Sequence, residues 1–194
     1  MPSEKTCIQI GLQYWCEYRF LAEPEYENRR YFTPINVPLL PPYFDTSGDW
    51  FYHGIDADIR CFPSPLRGRA SQIHERTITH SVGDRLQDFC AEQKIEHIDL
   101  LAIDIEGWEH RVLPTLRDAP PIEHLIIEFH PSETIDEWFR KNPSIKAKFE
   151  KDLEDRMDIE TFLSVAEEIG FTLYRQFPTH YGDTIELWMQ GKTC

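Results

Sequence analysis

Residues 98–110 read IDLLAIDIEGWEH, an apolar run that carries Asp104 within it and Glu106 and Glu109 just beyond. An isolated carboxylate among Ile, Leu and Ala is costly to bury unless something satisfies it. The run IDLLAIDI is apolar on both parities, the pattern of a strand covered on both faces rather than one. Gly107 follows, and then WEHRVLPTL, where Trp108, Val112 and Leu116 recur every four residues as on a helix face. Pro114 sits late in that segment and is expected to shorten or kink the helix. Pro120-Pro121 breaks the chain, and HLIIEFH (124–130) reads as a second apolar strand. Strand, short helix and strand in this order predict a parallel βαβ unit.

Downstream, TIDEWFRK and SIKAKFEKDLEDRM read as helices separated by Asn142-Pro143. Asp158 is placed to cap IETFLSVAEEIG, whose stripe of Ile159, Phe162, Leu163, Ala166 and Ile169 ends at Gly170. FTLYRQF and TIELWMQ, joined by PTHYGD, form the expected antiparallel pair. Upstream, Ser81 and Asp84 resemble a capping box heading a helix with Val82, Leu86, Phe89 and Cys90 on one face. Before residue 77 the pattern loosens: four prolines fall within residues 33 to 44, and DWFYHGI (49–55) looks like one strand. CIQIGLQYWCEYRF fits either a strand or a helix. The expected fold is an α/β three-layer architecture, a mainly parallel sheet with a terminal antiparallel hairpin. At 194 residues the chain is read as one domain, 1–194, irregular over 1–48.

A hydrophobic fraction of 41% supplies a packed core, and no apolar run approaches the length of a membrane span, so a soluble protein is expected. The start has no basic segment leading into an apolar one, so no signal peptide is expected. The net charge of −14, from 34 acids and 20 bases, argues against nucleic acid and anionic membranes as partners. Cysteines 7, 16, 61, 90 and 194 form no CxxC pair, and an odd number excludes a full disulfide framework. Reduced thiols in a cytoplasmic protein are the expectation.

In an open parallel sheet, ligands sit at the carboxyl ends of the strands. There the first strand offers Asp104 and Glu106, and the second offers Glu128 and His130. If the strands are neighbours, the four side chains converge on one crevice. Asp104 is read as a ligand-facing or catalytic acid, against the alternative of accepting bonds from a nearby turn. Glu106 is either functional or a cap on the following helix. Gly107 is expected to serve the backbone of the turn. His130 is either functional or an ordinary surface histidine. Glu109 and His110 are read as the solvated helix face, and the Trp108 stripe as core.

IDLLAIDIEGWEHRVL followed by IEHLIIEFHP resembles the FkbM-type S-adenosylmethionine-dependent methyltransferases and their methyltransferase-like relatives. TITHSVGDRLQDF is similar to the segment that precedes this motif in the family, without its acid pair. The match runs from about residue 49 to the end. The resemblance implies a Rossmann-like methyltransferase fold and S-adenosylmethionine as cofactor. It makes Asp104 the strand-four acid facing donor and acceptor, with Glu106, Gly107 and Glu109 completing the motif. It implies that DWFYHGIDAD is the third strand, with Ile55 and Asp56 beside the adenine, and that His130 lines the acceptor pocket. Asp104 and Gly107 then join Ile55 and Asp56 as cofactor-binding positions, and Asp104, Glu106 and His130 form the catalytic set.

Such enzymes hold the cofactor with a glycine-rich turn after strand one and an acid ending strand two. Residues 1 to 50 contain only Gly11 and Gly48, with Glu17 or Glu23 as acids for the ribose. The expectation is therefore a sheet incomplete on its amino-terminal side, through truncation or degeneration, and a homodimer covering the strand left bare. The functional expectation is methyl transfer, most simply to an oxygen of a small-molecule or glycan acceptor. A non-catalytic methyltransferase-like scaffold is the alternative. A metal-dependent enzyme built on Asp104, Glu106, Glu128 and His130 is a third reading, and it needs a further histidine to hold iron or zinc.

Overall fold

The computed structural model describes residues 5–11, 50–57, 71–149, 151, 156–178 and 183–191. Among these residues seven strands form one sheet: β1 (Lys5–Ile10), β2 (Trp50–Asp56), β3 (Ser71–Glu75), β4 (Ile98–Ile103), β5 (Ile122–Phe129), β6 (Phe171–Pro178) and β7 (Ile185–Gly191). Their order across the sheet is β3-β2-β1-β4-β5-β7-β6. Pairing is parallel from β3 through β5, and antiparallel at β5–β7 and β6–β7. The α/β reading, mainly parallel with a terminal hairpin, is thus what the chain adopts.

The buried strand at residue 98 is central: β4 lies between β1 and β5, with Cys7 beside Leu100 and Leu100 beside His124. Leu100, Leu101, Ala102 and Ile103 are all buried, so both faces are covered. Helices α1 (Leu86–Gln93) and α5 (Ile159–Glu168) bring Leu86, Phe89, Phe162 and Ala166 into the same core as Ile103 and Ile127. Asp158 caps α5 as expected, its carboxylate accepting from the Thr161 amide at 2.7 Å.

Three expectations need correction. The β1–β2–β3 side of the sheet is present, so β4 is not left bare and the argument for a covering dimer loses its premise. Among the described residues the strand at residue 50 is second, not third: it pairs directly with KTCIQI, and Ser71–Glu75 lies outside it. The helix expected from Ser81 begins only at Leu86, and Val82 is 82% exposed. Ser81 to Asp84 is instead a turn closed by a backbone bond of 3.0 Å. The capping acid is Asp88, whose Oδ2 accepts from the amides of Gly83 and Arg85. Gly83, in the left-handed region, keeps the helix from starting sooner.

Pro114 acts as expected. Helix α2 (Glu109–Val112) is only four residues long and passes into a 3-10 helix over Leu113–Asp118. Helices α3 (Ser132–Lys141) and α4 (Pro143–Phe149) are divided at Asn142-Pro143, while residues 152–155 of that expected run lie outside the described residues. Among the described residues, no helix is long and apolar enough to cross a membrane. Cys7 and Cys90 are buried, and burial pushes the Cys90 thiol up to about 12.

Candidate active site

The carboxyl ends of β1, β2 and β4 are tied together by their backbones. The Gly11 amide donates to the Ile55 carbonyl at 2.9 Å, and the Asp104 amide donates to the Ile10 carbonyl at 2.9 Å. Gly11 has φ of +83°, and a Cβ there would stand 1.6 Å from the Asp104 carbonyl oxygen. Only glycine fits between these strand ends. Asp56 terminates β2, and its carbonyl accepts from the Arg76 amide at 2.8 Å. It therefore stands where an acid ending strand two is expected, a role the sequence had offered to Glu17 or Glu23, which lie outside the described residues. Ile55 is wholly buried in the core. Its carbonyl, not its side chain, faces this junction.

The turn after β4 explains its acids. Glu106 has φ of 56° and Gly107 has φ of 99°, so the chain reverses through two left-handed residues. The tight turn leaves backbone donors to be satisfied, and one carboxylate takes two of them. Glu109 Oε1 accepts from the amides of Ile105 at 3.0 Å and Gly107 at 3.1 Å. Glu106 itself remains largely exposed and does not cap the helix.

From β5, His130 enters the same space. Its Nδ1 lies 3.2 Å from Glu109 Oε1, and its Nε2 lies 3.5 Å from Glu106 Oε2. Ligand atoms of Asp104, Glu109 and His130 all fall within 4.8 Å of one another. Burial opposes charge on His130, yet Glu109, Glu106 and Asp104 outweigh it and raise its pKa to about 11. For Glu109, burial favours the neutral form, but His130 and the turn amides hold its carboxyl below the ordinary range. The two thus form a buried ion pair. A metal ion held by Asp104, Glu109 and His130 would have to displace the proton that this pair keeps on His130.

Glu128 completes the crevice. Burial raises its carboxyl above the ordinary range, against the pull of the Thr184 hydroxyl, which donates to Oε1 at 2.5 Å. Its charge is felt alongside those of His130, Glu106 and Glu109. Asp104, Glu106 and His130 thus come together directly, and Glu128 stands near enough for its charge to interact with those of His130 and Glu106.

Two residues were misread from sequence. Glu109 and His110, expected in solvent, are 2% and 5% exposed. The signal for Glu109 was available: an acid three residues beyond the first of two left-handed positions can reach back to the turn, as a capping-box acid does. Trp108 is half-buried, edge-on to Phe149 at 6.0 Å, and packs against the small cluster of Ile135 and Phe139. Val112 and Leu116 lie in the main core.

The same architecture occurs in known structures. A putative S-adenosylmethionine-dependent methyltransferase from Listeria monocytogenes superposes with a TM-score of 0.51 at 8% identity, over 98% of this chain and 92% of that one. A putative methyltransferase solved in complex with the Trm112 activator of Haloferax volcanii gives 0.48 at 9% identity, over 100% and 86%. LepI in complex with SAM gives 0.47 at 13% identity, over 98% of this chain but 44% of that one. At such identities the Listeria likeness is one of fold. Among curated proteins no sequence matches. The methyltransferase FkbM domain matches residues 63–173, more than half of the chain, and this span contains α1, β4, the turn with its acids, and β5. The chain belongs to the FkbM methyltransferase domain family of S-adenosylmethionine-dependent methyltransferases.

Proposed function

We propose that this chain, a single methyltransferase domain, transfers a methyl group from S-adenosylmethionine to an oxygen of a small-molecule or glycan acceptor. The observation that carries the reading is the meeting of Gly11, Asp56 and Asp104 at adjacent strand ends, packed so closely that only glycine fits beside the Asp104 carbonyl. This packing brings the carboxyl ends of β1, β2 and β4 to one edge, where a ligand of a parallel sheet sits, and Asp56 suits the ribose hydroxyls. When bound, the cofactor supplies a sulfonium methyl open to in-line attack.

The chain's own residues divide the remaining work. Asp104 faces the junction of donor and acceptor and orients the acceptor hydroxyl. Held as a cation by Glu109 and Glu106, His130 has no lone pair for a proton, so it positions and balances charge rather than acting as a base. Glu128, made more basic by burial, is the better proton acceptor. Gly107 shapes the turn that presents these groups.

Titration calorimetry with S-adenosylmethionine or its demethylated product tests the donor site. We expect one equivalent bound, and about tenfold weaker binding in Asp56→Asn, in line with loss of a hydrogen bond to a charged group. Absence of heat and of thermal stabilisation at millimolar ligand would refute the enzyme reading and favour a non-catalytic scaffold.

A further inference from the structure

At the amino ends of β4 and β5, opposite the crevice, lies a second group of potential ligands. His97 immediately precedes β4, and Asp99 is its second residue, so the two are separated by the single Ile98. That spacing puts both side chains on the same side of an extended chain, while Ile98 is wholly buried on the other. The parallel register sets Ile98 beside Ile122 and Leu100 beside His124, so Asp99 and Glu123 occupy adjacent positions on one face.

Two carboxylates placed side by side on neighbouring strands repel one another, and such pairs destabilise a sheet unless a cation stands between them. An imidazole stands beside each acid: His97 Nε2 is 3.8 Å from Asp99 Oδ1, and His97 is the one that shares its open face. Ligand atoms of His97, Asp99 and Glu123 all lie within 4.8 Å of one another. Both acids are held in place from behind. Asp99 Oδ2 accepts from the Thr6 amide of β1 at 2.7 Å, which leaves Oδ1 turned toward His97. Glu123 Oε1 lies 3.5 Å from Nε2 of the buried His124. Anchoring of this kind is what orients ligands around a bound ion.

We propose that His97, Asp99 and Glu123 form a binding site for one divalent cation of the zinc class, separate from the methyl-transfer crevice. One imidazole with two carboxylates is a nitrogen–oxygen set suited to zinc and its neighbours, whereas magnesium prefers oxygen alone. The side chains are partly open to solvent, which leaves room for water to complete the shell. Asp99 stands about 16 Å along the chain from Asp104, at roughly 3.3 Å per residue, so the two sites are independent. A cation here joins β4 to β5 and, through the Thr6 bond, to β1.

The test uses the full chain stripped with EDTA and titrated calorimetrically with zinc chloride, with magnesium chloride in parallel. The proposal expects one zinc per chain, a rise in thermal midpoint on saturation, and weaker or absent magnesium binding. His97→Ala and Glu123→Gln should each weaken zinc by about tenfold or more, as the loss of even a supporting contact does. Binding of S-adenosylmethionine should be unchanged in both variants, which separates this site from the donor site. Zinc uptake at wild-type affinity in the two variants, or none by the wild type at 1 mM, overturns the proposal. Circular dichroism of each variant confirms that it is folded before either result is read.

Discussion

The candidate crevice depends on a few charged atoms whose states are set by each other. Glu109 is the centre of this arrangement: one of its oxygens receives two turn amides and faces the His130 ring. Substitution of Glu109 by Gln leaves a buried imidazolium without its principal counter-charge. We expect a loss of about 3–5 kcal/mol in urea unfolding, the range for breaking one partner of a buried pair. Unchanged stability would mean that the pair contributes nothing net. Asp104, Glu106, Glu128 and His130 were legible as a group because strand period and strand ends are local properties of sequence. The burial of Glu109 was not. Its charge reads as solvent-facing until the turn it satisfies, and the histidine from another strand, are both in place.

Among the elements, the shortest apolar segments proved hardest to place. KTCIQI alternates too briefly to be told from a helix by pattern, yet it is the strand that joins the two halves of the parallel sheet. Its closing residue, Gly11, makes that position possible. Substitution of Gly11 by Ala puts a Cβ 1.6 Å from a backbone oxygen and forces a side chain into the left-handed region. Backbone strain alone costs about 1–3 kcal/mol, and the clash adds to it. We expect a lower unfolding midpoint together with weaker S-adenosylmethionine binding, because β1 and β4 must separate; wild-type values for both would show that the strand ends are not packed this closely. The start of α1 teaches a related lesson. Ser81 and Asp84 carried a plausible capping pattern, but Gly83 turned the chain and Asp88 took the free amides instead.

At the scale of the whole molecule, buried histidines make stability depend on pH from two sides. His53 and His74 meet at 3.2 Å beneath Phe89, and burial, then the neighbouring His74, lowers His53 to about 4. For His74, burial and then Arg76 lower the pKa. A histidine depressed in the fold contributes stability above its ordinary value of 6.5, and loses it as pH falls from there toward about 4. His130 has the opposite sign: its contribution is full below 6.5 and is lost as pH rises toward about 11. Urea midpoints measured across pH should therefore be highest near 6.5 and fall on both sides. A His53→Gln variant should flatten the acid limb, and an unaltered acid limb would remove His53 as its cause. By itself the sequence determined the β4–turn–β5 unit, the terminal hairpin and the family motif, because apolar periodicity and turn residues act over short stretches of chain. Only the tertiary structure decided that β1 lies between β2 and β4, that Asp56 and Gly11 meet Asp104, and that Glu109 pairs with His130. Parallel strands are matched by burial across long separations in the chain, and no local pattern specifies which ends will meet.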